Sequence, residues 1–156
     1  MEPLDRHIVT VLAQDGRISF ADLGRQVGLS TSAVHQRVRR LEERGIITGY
    51  RAVVDYASVG LPLTALMSVT PFDPSDDDDI PERLAHIEEI VACWSVAGDE
   101  NYVLLIRVPR PQDLEELLGR IRQVGSCSTN TTIVLSTPWE DRLGALPLES
   151  PDPPTT

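Results

Sequence analysis

Residues 28–45 constrain the fold more than any other part of the chain. They read GLSTSAVHQRVRRLEERG, which predicts a helix that begins at a serine or threonine cap and ends at a glycine. At about 100° per residue, Val34, Val38 and Leu41 fall on one side of this helix. The opposite side carries hydrogen-bonding groups, from Ser32, His35, Gln36 and Arg39. Because such groups suit base edges and phosphates, the segment predicts a DNA recognition helix.

Two shorter helical patterns precede this segment. In the first, apolar side chains recur at helical spacing, at Leu4, Ile8, Val11 and Leu12. Ser19 followed by Asp22 resembles an N-cap with an acidic N3 residue, and it predicts the start of a second helix. Gly24 permits a close helix crossing, and Gly28 predicts the turn before the third helix. This order predicts a winged/helix-turn-helix domain of three helices over residues 1–48, with a generic helical bundle as the alternative.

The third helix also allows roles in DNA binding to be predicted. Ser30 and Thr31, with the amides of the first helical turn, would hold a phosphate. In the major groove, Gln36 can pair with adenine and Arg39 with guanine. Arginines on the flank of the helix either contact the DNA backbone or pair with Glu42 and Glu43. Double-stranded DNA is thus the predicted partner, and the predicted contact residues are Ser30, Thr31, Ser32, His35, Gln36, Arg37, Arg39 and Arg40.

Charge is divided unequally along the chain. The whole sequence has a net charge of −10, which is unusual for a DNA-binding protein. Residues 1–60, however, hold eight arginines and seven acidic residues, whereas residues 61–156 hold six arginines and seventeen acidic residues. The acidic excess therefore belongs to the second half, and this asymmetry predicts two modules with different partners.

The second half alternates between strand and helix patterns. Strands are predicted at residues 63–69, 92–96, 102–108 and 129–136, and helices from about Glu82 and from Pro111. The order β-α-β-β-α-β predicts a ferredoxin-like domain over residues 62–148, in which two helices cover one face of a four-stranded sheet. Residues 49–61 are predicted to form a linker strand or hairpin, and the proline-rich residues 149–156 a disordered tail. The chain as a whole is predicted to be an α+β protein.

Two of the predicted strands are apolar on both of their faces. Residues 103–106 read VLLI and residues 133–135 read IVL, whereas a half-solvated sheet would alternate apolar and polar side chains. Since the helices can cover only one face, the other face is predicted to pack on the same sheet of a second subunit.

Short motifs along the whole chain point to one family. They include Leu4-Asp5, Asp15-Gly16-Arg17, Leu41-Glu42, Gly45-Ile46-Ile47, Gly49-Tyr50-Arg51-Ala52-Val53-Val54-Asp55, Trp94-Ser95-Val96-Ala97-Gly98 and Leu146-Pro147-Leu148. In order and spacing, this series resembles the Lrp/AsnC family of bacterial and archaeal transcription regulators. The resemblance implies DNA binding without enzyme activity, and homodimers that assemble into tetramers or octamers.

The resemblance also implies a site for a small effector, in this family an amino acid. Carried over by position, that site would comprise Gly98, Asp99, Asn101, Tyr102, Thr129 and Thr131. This chain departs from the family at Asn101, where aspartate is usual. A carboxylate would bind the ammonium of an amino acid with charge-assisted hydrogen bonds, about twice as strong as neutral ones. The alternative is therefore an architectural DNA-binding protein of the same fold that needs no effector.

Other classes of function find little support. The acidic run from Asp76 to Asp79 does not fit the calcium-binding EF-hand, which needs glycine at its sixth position and glutamate at its twelfth. No nucleophile motif or metal-ligand spacing occurs, so neither an enzyme nor a metal cofactor is predicted. With no secretion signal or membrane-spanning run, and with Cys93 and Cys127 predicted to be buried reduced thiols, a cytoplasmic protein without membrane contact is expected.

Overall fold

A computed structural model of the chain describes residues 1–73 and 79–140. This part divides into two compact units, residues 1–53 with residues 139 and 140, and residues 54–138. The division falls within the predicted linker at residues 49–61. The limits of the four predicted regions stay predictions, and the predicted tail at residues 149–156 lies outside the described residues.

The N-terminal unit contains three helices, α1 (Pro3–Gln14), α2 (Phe20–Val27) and α3 (Thr31–Glu43). Both predicted caps are confirmed, because Ser19 accepts a hydrogen bond from the amide of Asp22 and Ser30 accepts one from the amide of Ala33. Gly28 ends α2 with a φ of 73°, in the left-handed region that favours glycine. The sequence of this segment therefore fixes where α2 ends and where α3 begins.

The three helices enclose a small apolar core. Its buried members are Ile8, Leu12, Leu23, Val34, Val38 and Leu41. Gly24 makes this packing possible, since a Cβ at this position would lie 2.6 Å from the carbonyl oxygen of Leu29. The close approach predicted at Gly24 is thus to the backbone of the turn before α3, and not to another helix.

The segment predicted to be a linker strand or hairpin contains no strand within the single chain. Among residues 44–62 the structure assigns no strand, and turns occupy residues 56–60. A strand is stable only when a neighbouring strand receives its hydrogen bonds, and this segment of the single chain pairs with none. Tyr50 instead fastens the segment to the helices, because its hydroxyl donates a 3.0 Å hydrogen bond to Glu42 Oε1.

The second unit has the predicted βαββαβ order. Its elements are β1 (Leu63–Pro71), α4 (Ile80–Leu84), β2 (Ile90–Ser95), β3 (Tyr102–Val108), α5 (Pro111–Gly125) and β4 (Cys127–Ile133). The strands form one antiparallel sheet in the order β2-β3-β1-β4. The helix predicted from Glu82 is a single short turn, and β4 begins and ends earlier than expected.

The helices cover one face of the sheet and leave the other face open. Side chains on the helix face form the main core, including Met67, Leu104 and Leu117. On the other face, Leu66 pairs with Leu105 and Trp94 pairs with Val103. Leu66 is 39% exposed and Trp94 is 48% exposed, so this open face leaves apolar surface in contact with solvent. The predicted two-sided apolar character of the sheet is confirmed within this single chain.

Two remaining sequence predictions concern cysteines and the membrane. Both thiols are free, and Cys127 is buried as predicted, whereas Cys93 is exposed because it lies on the edge strand β2. In residues 1–73 and 79–140, no helix is both long enough and apolar enough to span a bilayer.

Candidate nucleic-acid interface and effector region

Helix α3 presents its polar side to solvent as the sequence predicts. Val34, Val38 and Leu41 are buried, while the side formed by Ser32, His35, Gln36 and Arg39 is exposed. We call these four residues the polar ridge. Its N-terminal end is ordered by the capping serine, whose Oγ lies 3.2 Å from Ser32 Oγ. The ridge therefore begins where the free amides of α3 are available to an anion.

His35 is held by an aromatic neighbour on α2. Its ring meets that of Phe20 edge to face, with the centroids 5.3 Å apart and the planes at 74°. Such contacts favour one orientation of both rings. The ring of His35 is thus oriented before any ligand arrives. Sequence periodicity does not reveal this contact, because it depends on how α2 crosses α3.

The exposed arginines of α3 are held only by local hydrogen bonds. Arg39 Nε donates to Glu43 Oε1 at 2.8 Å, one turn along the same helix. Arg40 Nε donates to the backbone carbonyl of Gln36 at 3.3 Å. Exposed pairs of this kind contribute little to stability and exchange readily with other partners. Both guanidinium groups can therefore reach an external phosphate or base.

Arg37 is bound differently from the other arginines. Its Nη1 donates hydrogen bonds to Asp5 Oδ1 at 2.6 Å and to Glu2 Oε2 at 2.9 Å, at the start of α1. These contacts, that to Asp5 first, raise the pKa of Arg37 above its ordinary value. Its partners are therefore acidic residues of α1, and not Glu42 or Glu43, the pairing within α3 that the sequence allowed. Rotation by about 100° per residue already places Arg37 nearer the buried side of α3 than the ridge, a signal the sequence contained.

The predicted effector residues gather at one end of the sheet. Tyr102 in β3 and Thr129 in β4 both pair with Val69 of β1, so they share one row across three strands. The amide of Asn101 donates a 3.1 Å hydrogen bond to the carbonyl of Val69, which anchors the β2–β3 turn to the same row. Gly98 and Asp99 are exposed in this turn. Thr131 lies one pleat further along β4, paired with Met67.

The side chains in this region are not equally accessible. Tyr102 is only 8% exposed and belongs to the core beneath the helices, so its ring is turned away from solvent. Arg122 Nε of α5 donates a 2.7 Å hydrogen bond to Thr129 Oγ1. Thr131 Oγ1 is buried and finds no partner within the described residues. The sequence analysis did not anticipate Arg122, since it is distant along the chain from the turn and comes close to Thr129 only in the folded domain.

A separate cleft lies elsewhere in the same domain. It has a volume of about 720 Å³, and its lining includes His86 and the charged side chains of Glu89, Asp113, Glu116 and Arg120. Two of these are already paired, because Arg120 Nη1 donates a 2.8 Å hydrogen bond to Glu89 Oε1 and lowers the pKa of that carboxyl group. None of the predicted effector residues lines this cleft.

Acidic residues do not gather into a metal site in the described part of the chain. Within residues 1–73 and 79–140, no group of three histidine, cysteine or acidic side chains could hold a metal ion. Asp79 forms a 3.0 Å ion pair with Arg83 at the start of α4. The rest of the predicted acidic run, Asp76 to Asp78, lies outside the described residues.

Comparison with known proteins assigns both units. The family model for the AsnC-type helix-turn-helix domain matches residues 1–42. The family model for the Lrp/AsnC ligand binding domain matches residues 64–143. The chain belongs to the Lrp/AsnC family. The predicted resemblance is thereby confirmed.

Curated Lrp/AsnC relatives resemble the chain over nearly its whole length. The HTH-type transcriptional regulator LrpA of Mycobacterium tuberculosis is 49% identical over 142 residues, which are 91% of this chain and 95% of the relative. The leucine-responsive regulatory protein of Escherichia coli is 34% identical over 139 residues, 86% of this chain and 85% of the relative. This Lrp/AsnC protein is therefore a transcriptional regulator with a DNA-binding and a ligand-binding domain, and not an enzyme.

Solved structures of Lrp/AsnC proteins agree with the fold. The feast or famine regulatory protein of M. tuberculosis, solved in complex with L-methionine, has a TM-score of 0.89 and 49% identity to this chain, covering 92% of this chain and 97% of that one. LrpC of Bacillus subtilis has a TM-score of 0.80 and 28% identity, covering 88% of this chain and 96% of its own.

Proposed function

We propose that this Lrp/AsnC protein is a sequence-specific regulator whose DNA binding or assembly responds to an amino acid. The observation that carries the proposal is the polar ridge of α3, which is exposed while the opposite side of the helix is buried. In the major groove, Gln36 would read adenine and Arg39 guanine. Ser30, Thr31 and Arg40 would contact phosphates beside them.

Pairing of two copies would supply the rest of the specificity. One short helix reaches only a few base pairs, so a dimer would read two half-sites about 10 bp or a multiple apart. The open face of the sheet supports this step, because Leu66 and Trp94 leave apolar surface there that a second copy can bury. Dimers would then assemble further, into tetramers or octamers.

The effector would bind at the end of the sheet that carries the β2–β3 turn. A structural relative at 49% identity was solved with L-methionine, which favours an amino acid as the ligand class. Gly98 would allow close backbone approach, and Asp99 and Asn101 would offer polar groups to an ammonium. Thr129 and Thr131 would offer hydroxyls to the carboxylate, with Tyr102 supporting the turn from the core.

Selection of DNA fragments tests this function directly. The full chain is mixed with sheared genomic DNA from its source organism, with and without each of the twenty amino acids, and the retained fragments are sequenced. We expect a small set of enriched fragments whose recovery changes with at least one amino acid. Equal recovery of all fragments, with an affinity that does not fall as salt rises, would contradict DNA recognition.

The alternative is an architectural DNA-binding protein of the same fold without an effector. Asn101 favours it, because an amide binds an ammonium more weakly than the usual aspartate does. Thermal-shift measurements with the twenty amino acids separate the two functions. A shift that disappears in Thr129→Val supports the amino-acid regulator, whereas DNA binding with no shift from any amino acid supports the alternative.

A further inference from the structure

The start of α1 and the middle of α3 are joined by a group of three charged side chains. Arg37 Nη1 lies 2.6 Å from Asp5 Oδ1 and 2.9 Å from Glu2 Oε2. Glu2 is the N-cap residue of α1, yet its side chain caps no amide of that helix. Its carboxylate reaches across to α3 instead. We call this group the α1–α3 brace.

Burial distinguishes the brace from the surface pairs of the same domain. The side chain of Asp5 is 11% exposed and that of Arg37 is 23% exposed, whereas the side chains of Arg39 and Glu43 are both more than half exposed. A carboxylate that is largely removed from water needs a charged partner, because unpaired burial is costly. Asp5 therefore holds Arg37 firmly, while Glu2, at 67% exposure, adds a weaker contact.

The direction of Arg37 on α3 fits a structural partner better than DNA. At about 100° per residue, Arg37 points roughly 70° from the centre of the buried side and roughly 150° from the centre of the polar ridge. Arg40 points roughly 90° from the ridge on the same scale, toward the flank that a phosphate can approach. The two arginines stand three positions apart on one helix but face different surroundings.

We propose that Arg37 is a positioning residue that fixes the orientation of α3 against α1, and that it does not contact DNA. The proposal rests on the proposed DNA-binding function. Through Asp5 and Glu2, the first five residues of the chain then determine how the polar ridge is presented to the groove. Loss of the brace should lower DNA affinity even though no contact with DNA is removed.

A double-mutant cycle in the full chain tests the brace without DNA. The melting temperature is measured for wild type, Asp5→Asn, Arg37→Met and the double variant. We expect both single variants to melt lower, and the double variant to melt well above the value obtained by adding the two single losses. Strictly additive losses would show that Asp5 and Arg37 do not act together, which would overturn the proposal.

A salt titration on DNA tests the second half of the proposal. The probe is a genomic fragment that the wild type enriches, and Arg40→Ala is the matched control. Arg40→Ala should reduce the slope of log affinity against log salt by about 0.9, as expected for one phosphate contact. Arg37→Met and Asp5→Asn should each lower affinity about tenfold, equivalent to about 1.4 kcal/mol, and leave the slope unchanged.

The results of these two experiments distinguish a failure of the α1–α3 brace from a failure of the proposed DNA-binding function. A reduced slope in Arg37→Met, with unchanged affinity in Asp5→Asn, would make Arg37 a phosphate contact and overturn the proposal. If the wild type enriches no fragment, the proposed function fails. The melting cycle then still decides whether Arg37 and Asp5 form a brace.

Discussion

Arg39 and Glu43 form an ion pair across one turn of α3, with Nε and Oε1 2.8 Å apart. In the free protein, the arginine predicted to read guanine is therefore already bound to a carboxylate. DNA must replace that carboxylate when it binds. The pair thus opposes DNA binding to the small extent that it stabilises the free helix.

Removing the competing carboxylate should strengthen DNA binding. An exposed pair spaced by four residues contributes about 0.3–0.5 kcal/mol, so we expect Glu43→Gln to raise affinity about twofold. Glu115→Gln, which removes the same charge from an exposed position on α5, should leave affinity unchanged. Fluorescence anisotropy on a labelled fragment measures both variants. Equal affinities for the two would contradict a DNA contact by Arg39.

Removing the arginine itself should have a larger effect. Arg39→Ala should weaken binding to the preferred sequence by about 1–3 kcal/mol, the usual contribution of a base-reading arginine. Assembly should not change, because Arg39 lies on an exposed surface far along the chain from the sheet. A gel-shift titration measures the affinity and sedimentation velocity measures the assembly. Unchanged affinity would remove Arg39 from the set of base-reading residues.

Gly24 should tolerate no larger side chain. Its Cβ would lie 2.6 Å from the carbonyl oxygen of Leu29, which belongs to the backbone and cannot rotate away. We expect Gly24→Ala to lower the free energy of unfolding by about 1–3 kcal/mol. Gly119 provides the control, since open space surrounds it on α5 and Gly119→Ala should add about 0.5–1 kcal/mol. Urea denaturation distinguishes the two, and a neutral Gly24→Ala would show that the turn can move aside.

The phenol of Tyr50 should ionise at an unusually high pH. Burial, and then its hydrogen bond to Glu42, raise the pKa of Tyr50 from 10.0 to about 12. A raised pKa favours the neutral phenol in the folded state, so the stability that Tyr50 contributes is present below pH 10 and lost as the pH rises through about 12. The change should be small, because Tyr50 is half exposed. Phenolate absorbance titrations of wild type and Tyr50→Phe should differ by a step near pH 12 and not near 10.

A charge on the open face of the sheet should prevent dimerisation. Leu66 would be buried against a second copy, and burying an unpaired carboxylate costs several kcal/mol, so Leu66→Asp should weaken the dimer by about 3 kcal/mol or more. Gln112→Glu, on the exposed surface at the start of α5, serves as the control. Sedimentation velocity over a range of concentrations measures both. A Leu66→Asp protein that sediments like the wild type would exclude this face as the interface.

Local features of the sequence predicted most of the fold. Ser19 and Ser30 cap helices where the sequence places them, and Gly28 adopts the positive φ that a turn requires. The bounds of β3 are those predicted for residues 102–108. Each of these depends on residues within one or two turns of the chain. A single sequence contains that information in full.

Partners that are distant along the chain could not be predicted in the same way. Arg37 was expected at the DNA and is bound to Asp5, while Thr129 was expected to be free for a ligand and accepts a hydrogen bond from Arg122. The linker strand was also predicted from β-branched residues, but strand formation requires a pairing edge that no local pattern supplies. Such contacts depend on which elements the fold brings together, and a local pattern in the sequence does not contain that information.

The sequence by itself determined the two modules, the capped recognition helix, the polar ridge and the sheet with two apolar faces. These follow from periodicity, since the geometry of a helix or strand decides which side chains share a side. Only the tertiary structure decided which charged and polar groups of the polar ridge and of the sheet remain accessible to DNA or to an effector. The packing of α1 against α3 places Arg37 beside Asp5, and a largely buried carboxylate needs a charged partner. Arg39 and Arg40 lie away from α1 and remain accessible.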